Sequence, residues 1–243
     1  MRAMWMLAGL LSAGMAAAEP VKLRLCTSDV PFYPYSMPDG SGLFQRRLMA
    51  LAKSLNVEVV AHVAPRARCL QHSRNGEADA LIGIFSADRL DWMAYPMRGG
   101  APDAERGLGA VRFVLYRRVG TAYGWDGRKF LGLGTEKLGL QFAYAYGPQL
   151  AAQGVAVDDR ATSAEQLMAK LERGRVALVL MQEEQAKVLI EHRLAGRIEP
   201  LEPPFGTQTF YLIVSRDFQK RHAALVQKLW ATHPPWVASR EVH

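Results

Sequence analysis

Two cysteines, six histidines and a run of arginines carry most of the reactive chemistry in this 243-residue chain. Cys26 and Cys69 make an even count. In an oxidising compartment that suggests a bridge, and in the cytosol two buried thiols, so the fold must decide. The histidines show no H-E-x-x-H or other ligand spacing, and neither a metal nor a cofactor is expected. There is no G-x-S-x-G elbow, no P-loop and no G-x-G-x-x-G after a strand, and Gly132-Leu133-Gly134 reads only as a glycine-rich loop. Lys and Arg number 30 against 23 acidic residues, a net charge of +7. The excess is scattered and not interleaved with aromatics, so no nucleic-acid partner is expected.

The elements that must position these groups begin after an address. Met1-Arg2, an apolar run from Ala3 to Met15 and the small residues Ala16-Ala17-Ala18 describe a secretory signal peptide over 1–18. A soluble, periplasmic protein is therefore expected, and export would supply the oxidant for the cysteines. Val21 to Cys26 alternates as a strand, Leu43 to Leu55 has helical spacing, and Val57 to Val63 is β-branched. Pro65 opens a helix that Gly76 ends, and Ala78 to Phe85 is apolar throughout. Strand, helix, strand, helix, strand predicts a parallel α/β sheet.

A second series follows. Strands are expected at Ala110 to Arg117, Leu138 to Phe142, Gly154 to Val157 and Val176 to Met181. The segment Gly120 to Gly134 reads as loop with a short helix near Arg128. Helices are expected at Tyr144 to Gln153, after the cap at Thr162 or Ser163, and at Glu183 to Arg193. Thr209 to Ser215 returns as a strand before a final helix from Phe218 to Trp230.

Three strings, Pro65-Arg66-Ala67-Arg68-Cys69-Leu70, Gly76-Glu77-Ala78-Asp79-Ala80 and Ser86-Ala87-Asp88-Arg89, resemble bacterial extracellular solute-binding proteins of family 3, the periplasmic receptors typified by polar amino-acid importers. The resemblance runs from about Lys22 to the end and includes Gly174-Arg175-Val176. It implies a two-lobed α/β fold of the type 2 periplasmic binding class with a two-stranded hinge near 110–117 and 207–215. Lobe 1 would hold 19–110 plus 210–243, and lobe 2 would hold 111–209. One sheet containing every strand would contradict this. It also implies no catalysis, a monomer, a small-molecule solute, and an ABC-type membrane permease or a membrane sensor as partner. A cyclohexadienyl-dehydratase-like enzyme on the same fold is the alternative, and it would need Glu183 or Glu184 as its acid.

By the same resemblance, Arg89 is the arginine that clasps a ligand carboxylate, a task suited to the bidentate guanidinium fork. Phe32, Tyr33 and Tyr35 fall where relatives stack an aromatic over the ligand. Separately, Arg66 and Arg68 read either as the rim of an anion site or as a solvated basic turn, the turn being the blander reading. Departures are as informative. Ile84 stands where a hydroxyl residue is usual, and Gln182 where an Asp would meet an ammonium group. Phe142-Ala143-Tyr144-Ala145-Tyr146 replaces a Gly-Thr-Thr anion loop, making Tyr144 a lining residue. These changes argue against a zwitterionic amino acid and leave the ligand open. Independently, the rule that ligands bind beyond the carboxyl ends of parallel strands selects Thr27 to Tyr35, Pro65 to Cys69, Ile84 to Arg89, Gln141 to Tyr146 and Met181 to Glu184. A sheet ordered 2-1-3 would set Cys26 beside Cys69 and predicts a disulfide between them.

Overall fold

Residues 19–142 and 146–231 are described by a computed structural model of the protein. The expected signal peptide and Tyr144 lie outside them. Three strands form the first block: β1 (Val21–Ser28), β2 (Val57–Ala64) and β3 (Ala80–Ile84). β1 lies parallel between the other two, in register from Val21↔Val57 to Ser28↔Ala64 on one side. The helices α1 (Leu43–Ser54) and α2 (Arg66–Arg74) make the crossovers. A crossing strand, β4 (Gly109–Arg118), then leads to the second block, in which β5 (Leu138–Gln141) lies parallel between β6 (Val157–Ala161) and β7 (Leu178–Gln182). Its helices are α3 (Tyr146–Ala152), α4 (Ala164–Glu172) and α5 (Glu183–Leu189). Both blocks therefore have the 2-1-3 order.

The blocks meet through β4 and β8 (Gly206–Ser215), which pair antiparallel from Gly109↔Phe210 to Phe113↔Gly206. Past that shared stretch the two strands part. β4 continues along β7 from Phe113↔Gln182 to Arg117↔Leu178. β8 continues along β3 from Phe210↔Ile84 to Val214↔Ala80. Because each strand keeps one half in either block, the hydrogen-bonded ladder is continuous, in the order β6-β5-β7-β4-β8-β3-β1-β2. The two halves are not isolated sheets. Two short hairpins, Met97–Arg98 with Ala101–Pro102 and Gly124–Trp125 with Phe130–Leu131, remain outside the ladder.

Alternation along the strands explains how helices fit on both faces. In β7, Leu178 and Leu180 face one core cluster, while Val179 and Met181 face another with Leu167, Met168 and Leu171 of α4. In β8, Leu212 and Val214 face the α1 side, and Tyr211 and Ile213 face the α2 side. Truncating a fully buried leucine such as Leu180 typically costs about 2–5 kcal/mol. The C-terminal helices α6 (Arg216–Arg221) and α7 (Ala223–Ala231) close the α1 side, and the buried Trp230 donates to the Leu212 carbonyl at 2.8 Å.

Three local expectations are corrected. The segment 120–134 holds no helix near Arg128: Asp126 Oδ1 accepts the N–H groups of Arg128 and Lys129, which folds a hairpin turn. Gly154, at φ +77°, ends α3, so the next strand starts at Val157. The last helix breaks at His222, whose backbone (φ −131°, ψ 40°) leaves the helical region. Ser163 caps α4 as expected, accepting from the Gln166 N–H.

Candidate functional site

The loop after β1 is held rigidly by a side chain with no obvious sequence signal. Gln45, on the first turn of α1, is buried, and its amide donates to the Met37 carbonyl at 2.8 Å and to Thr27 Oγ1 at 3.2 Å. Its Oε1 accepts from the Met37 N–H at 2.8 Å. Within this loop Phe32 stacks on Phe210 (centroids 5.1 Å) and Tyr35 on Phe44 (5.0 Å). Phe32 and Tyr35 thus pack inward, and Tyr33, 40% exposed, is the aromatic left facing solvent.

Glycine at position 83 lets an arginine lie flat on the end of β3. Arg66, the first residue of α2, donates from Nη1 to the Ile82 carbonyl at 3.1 Å. A Cβ at Gly83 would meet its Nη2 at 2.6 Å. Burial, and secondarily the charge of Arg89, pulls the Arg66 guanidinium down to about 10. Arg89, on the short helical turn after β3, lies beside the buried Tyr95 hydroxyl, and its Nη1 is buried without a hydrogen-bond partner. Among the described residues neither guanidinium forms an ion pair; the nearby Asp88 is exposed and engages Ser86. Arg68 is exposed. Ile84 is half-buried and pairs with Phe210 across the strands.

The second block brings carboxylates and an amide. Gln182 is fully buried at the end of β7, and its Nε2 donates to the Tyr33 carbonyl and, at 2.9 Å, to Gln185 Oε1. Glu183 pairs with Arg112 and Lys187, each at 3.3 Å. Glu184 stands beside the Tyr35 hydroxyl; burial first, and then that carboxylate, holds the phenol proton on far above its ordinary range. Burial and the two glutamates do the same to Tyr116. Tyr146 accepts from Gln208 Nε2 at 2.9 Å and packs edge-on against Phe113 and Phe205.

Of the residues singled out in sequence, Phe32, Tyr35, Ile84 and Gln182 therefore cluster where the crossing strands join the blocks. Arg89 lies on the Tyr95 side of β3 with Arg66. Gln45 carries geometry that nothing in its sequence context indicates, and of the two candidate rim arginines it is Arg66 that lies against the end of β3. Cys26 and Cys69 are joined in a disulfide with Cα atoms 5.5 Å apart, both buried between β1 and α2.

Solved structures with this architecture include domains of binding and sensing proteins. A double mutant of the BvgS VFT2 domain of Bordetella pertussis aligns with a TM-score of 0.65 at 15% identity, over 87% of this chain and 88% of that one. The GluR0 ligand-binding core from Nostoc punctiforme, in complex with L-glutamate, aligns at 0.64 and 14% identity, over 85% and 91%. A histidine kinase sensor domain described as similar to periplasmic binding proteins aligns at 0.65 and 14%, over 87% and 88%. No family model and no curated protein matches the sequence. The chain has the two-lobed type 2 periplasmic binding fold. Among the described residues no helix is long and apolar enough to cross a membrane.

Proposed function

We propose that the chain is an exported periplasmic receptor that closes its two lobes on a small, carboxylate-bearing solute and presents it to an ABC-type membrane importer. In this reading 1–18 is a signal peptide, lobe 1 is 19–110 with 210–243, and lobe 2 is 111–209. The observation that carries it is the pair Arg66 and Arg89 at the carboxyl end of β3, without ion-pair partners among the described residues. Two neighbouring guanidiniums drawn out of water are costly without a counter-ion. An anionic ligand offsets that cost, and Arg89, with Nη1 unoccupied, has a donor to give. Glu183 is tied to Arg112 and Lys187, which leaves Glu184, whose Oε2 is buried without a hydrogen-bond partner, as the candidate acid of the dehydratase alternative. The mechanism is reversible capture.

A second reading, a sensor that reports to a membrane partner, draws on a separate observation. The protein's own groups already join the lobes, through Gln182 to the Tyr33 carbonyl and Tyr35 beside Glu184. Native mass spectrometry of the freshly purified protein identifies any co-purified solute. Calorimetric titration with L-glutamate, L-arginine and succinate then compares the wild type with Arg89→Ala. A carboxylate should bind the wild type, and the variant should lose about tenfold to a hundredfold in affinity, the worth of a hydrogen bond to a charged group. Equal affinities would remove Arg89 from the site.

A further inference from the structure

The two outer strands of the ladder, β6 at one end and β2 at the other, meet their surroundings differently. β6 (V-D-D-R-A) carries Asp158, Asp159 and Arg160, and its register against β5 shifts between Gly139 and Gln141. Charge and irregular register are two ways in which an edge strand avoids pairing with another chain. β2 (V-E-V-V-A-H-V-A) has neither protection. It pairs with β1 without interruption from Val57 to Ala64, and Glu58 is its one fixed charge. Val60 and Val63 are 41% and 48% exposed.

Two hydrogen bonds fix which backbone groups of β2 are free. The Val21 N–H donates to the Asn56 carbonyl at 3.2 Å, and the Asp29 N–H to the Ala64 carbonyl at 3.1 Å. Along a strand, successive residues turn their N–H and C=O to opposite sides. The even-numbered residues therefore face β1, and Val57, Val59, Ala61 and Val63 turn their backbone groups outward. Among the described residues no strand pairs with that outer edge.

We propose that this edge joins two copies of the chain, β2 against β2 and antiparallel about a two-fold axis at Val60, in place of the monomer that the family resemblance implies. A two-fold axis perpendicular to the sheet keeps each face continuous, so opposed residues share a face. About Val60, Glu58 meets His62 of the partner subunit, Val59 meets Ala61 of the partner subunit, and Val57 meets Val63 of the partner subunit. The outward-turned residues then oppose one another as hydrogen-bonded pairs, and Glu58, Val60 and His62 form the non-hydrogen-bonded pairs, whose side chains lie closest. A carboxylate faces an imidazole, and every other opposed pair is apolar. His62 meets His72 through Nε2 at 3.2 Å, and with its proton on Nδ1 it can donate to that carboxylate. An axis at Val59 would set Glu58 against Val60 of the partner subunit, and an axis at Ala61 would set it against Ala64 of the partner subunit. Both lose the polar pair, so the strand is complementary to itself in one register. The pairing uses no residue of the cleft and stands apart from the proposed ligand.

Sedimentation equilibrium of the disulfide-intact protein at micromolar concentration should give twice the mass of one chain. Ala61→Pro removes an outward N–H that β1 does not use, a position where an edge strand tolerates proline. Val60→Lys sets two ammonium groups face to face on the axis. Both variants should keep the circular dichroism of the wild type and sediment as monomers. Because a proline can unsettle a strand, Val60→Cys supplies a second measurement on the intact fold. Its two thiols belong to Cα atoms about 4.5 Å apart, within reach of a disulfide. Mild oxidation should then link two chains, whereas Glu58→Cys, which faces His62 of the partner subunit, should give no such product. A wild type that stays monomeric, a dimer that persists in folded Ala61→Pro, or an unlinked Val60→Cys protein overturns the proposal.

Discussion

In the first block a disulfide ties a strand to a helix; in the second a buried carboxylate does so. Both blocks use the same 2-1-3 strand order. The first ties its central strand to α2 with the Cys26–Cys69 disulfide. The second ties its edge strand to α4 with Asp158, 6% exposed, which takes Lys170 at 2.7 Å and Arg160 at 3.0 Å. At the carboxyl ends of its strands the first block carries Arg66 and Arg89, and the second carries Gln182, Glu184 and a Glu183 already paired with Arg112 and Lys187. One strand order thus supports two differently furnished strand ends.

The largest expected effect breaks the covalent side of that comparison. Replacing both cysteines, Cys26→Ala with Cys69→Ala, frees a loop of sequence separation 43 in the unfolded chain. Chain entropy assigns about 4 kcal/mol to such a closure. Denaturant unfolding of the double variant should give an unfolding free energy lowered by most of that amount. An unfolding free energy within about 1 kcal/mol of wild type would mean that packing, not the staple, holds α2 to β1.

The carboxylate side breaks more gently and only above acid pH. Bonds to Arg160, followed by those to Lys170, overcome the cost of burial and hold the Asp158 carboxyl well below its usual range. A carboxylate depressed in the folded state stabilises above its unfolded value of about 3.9 and loses that contribution as pH falls through the folded value. Asp158→Asn should therefore cost about 1–3 kcal/mol near neutral pH. The gap between variant and wild type should close progressively below about pH 4. A gap independent of pH would assign the loss to packing rather than charge.

How far the sequence discloses these features depends on how local each one is. Strands buried on both faces, such as Ala80–Ile84 and Leu178–Gln182, are legible because an apolar run carries its own signal. The Cys26–Cys69 pair is legible once the strand order is assumed, since that order alone brings the two ends together. Arg66 is harder. Its inward course depends on the missing side chain of Gly83, a residue on another element, and nothing near Arg66 marks it apart from Arg68. The His62–His72 hydrogen bond joins a strand to a helix ten residues on, a separation that no periodicity within one element describes. Gln45 is likewise a buried amide whose partners, Thr27 and Met37, belong to another strand and loop.

The smallest effect sharpens the comparison at the line where the blocks touch. Gln182 donates across the cleft to the Tyr33 carbonyl, while its own Oε1 is buried without a partner. Gln182→Leu removes the donor and that unpaired acceptor together, so two contributions oppose each other in the folding free energy. Global stability should move by less than about 1 kcal/mol. The lobes, however, lose a hydrogen bond that exists only when they are together. A net bond of about 0.5–1.5 kcal/mol shifts an open–closed ratio by about two- to tenfold. Small-angle scattering should then show a larger radius of gyration for the variant at unchanged melting temperature. An unchanged radius would mean that Tyr35 and Glu184 keep the blocks together without Gln182, and the Tyr35→Phe variant should then produce the opening instead.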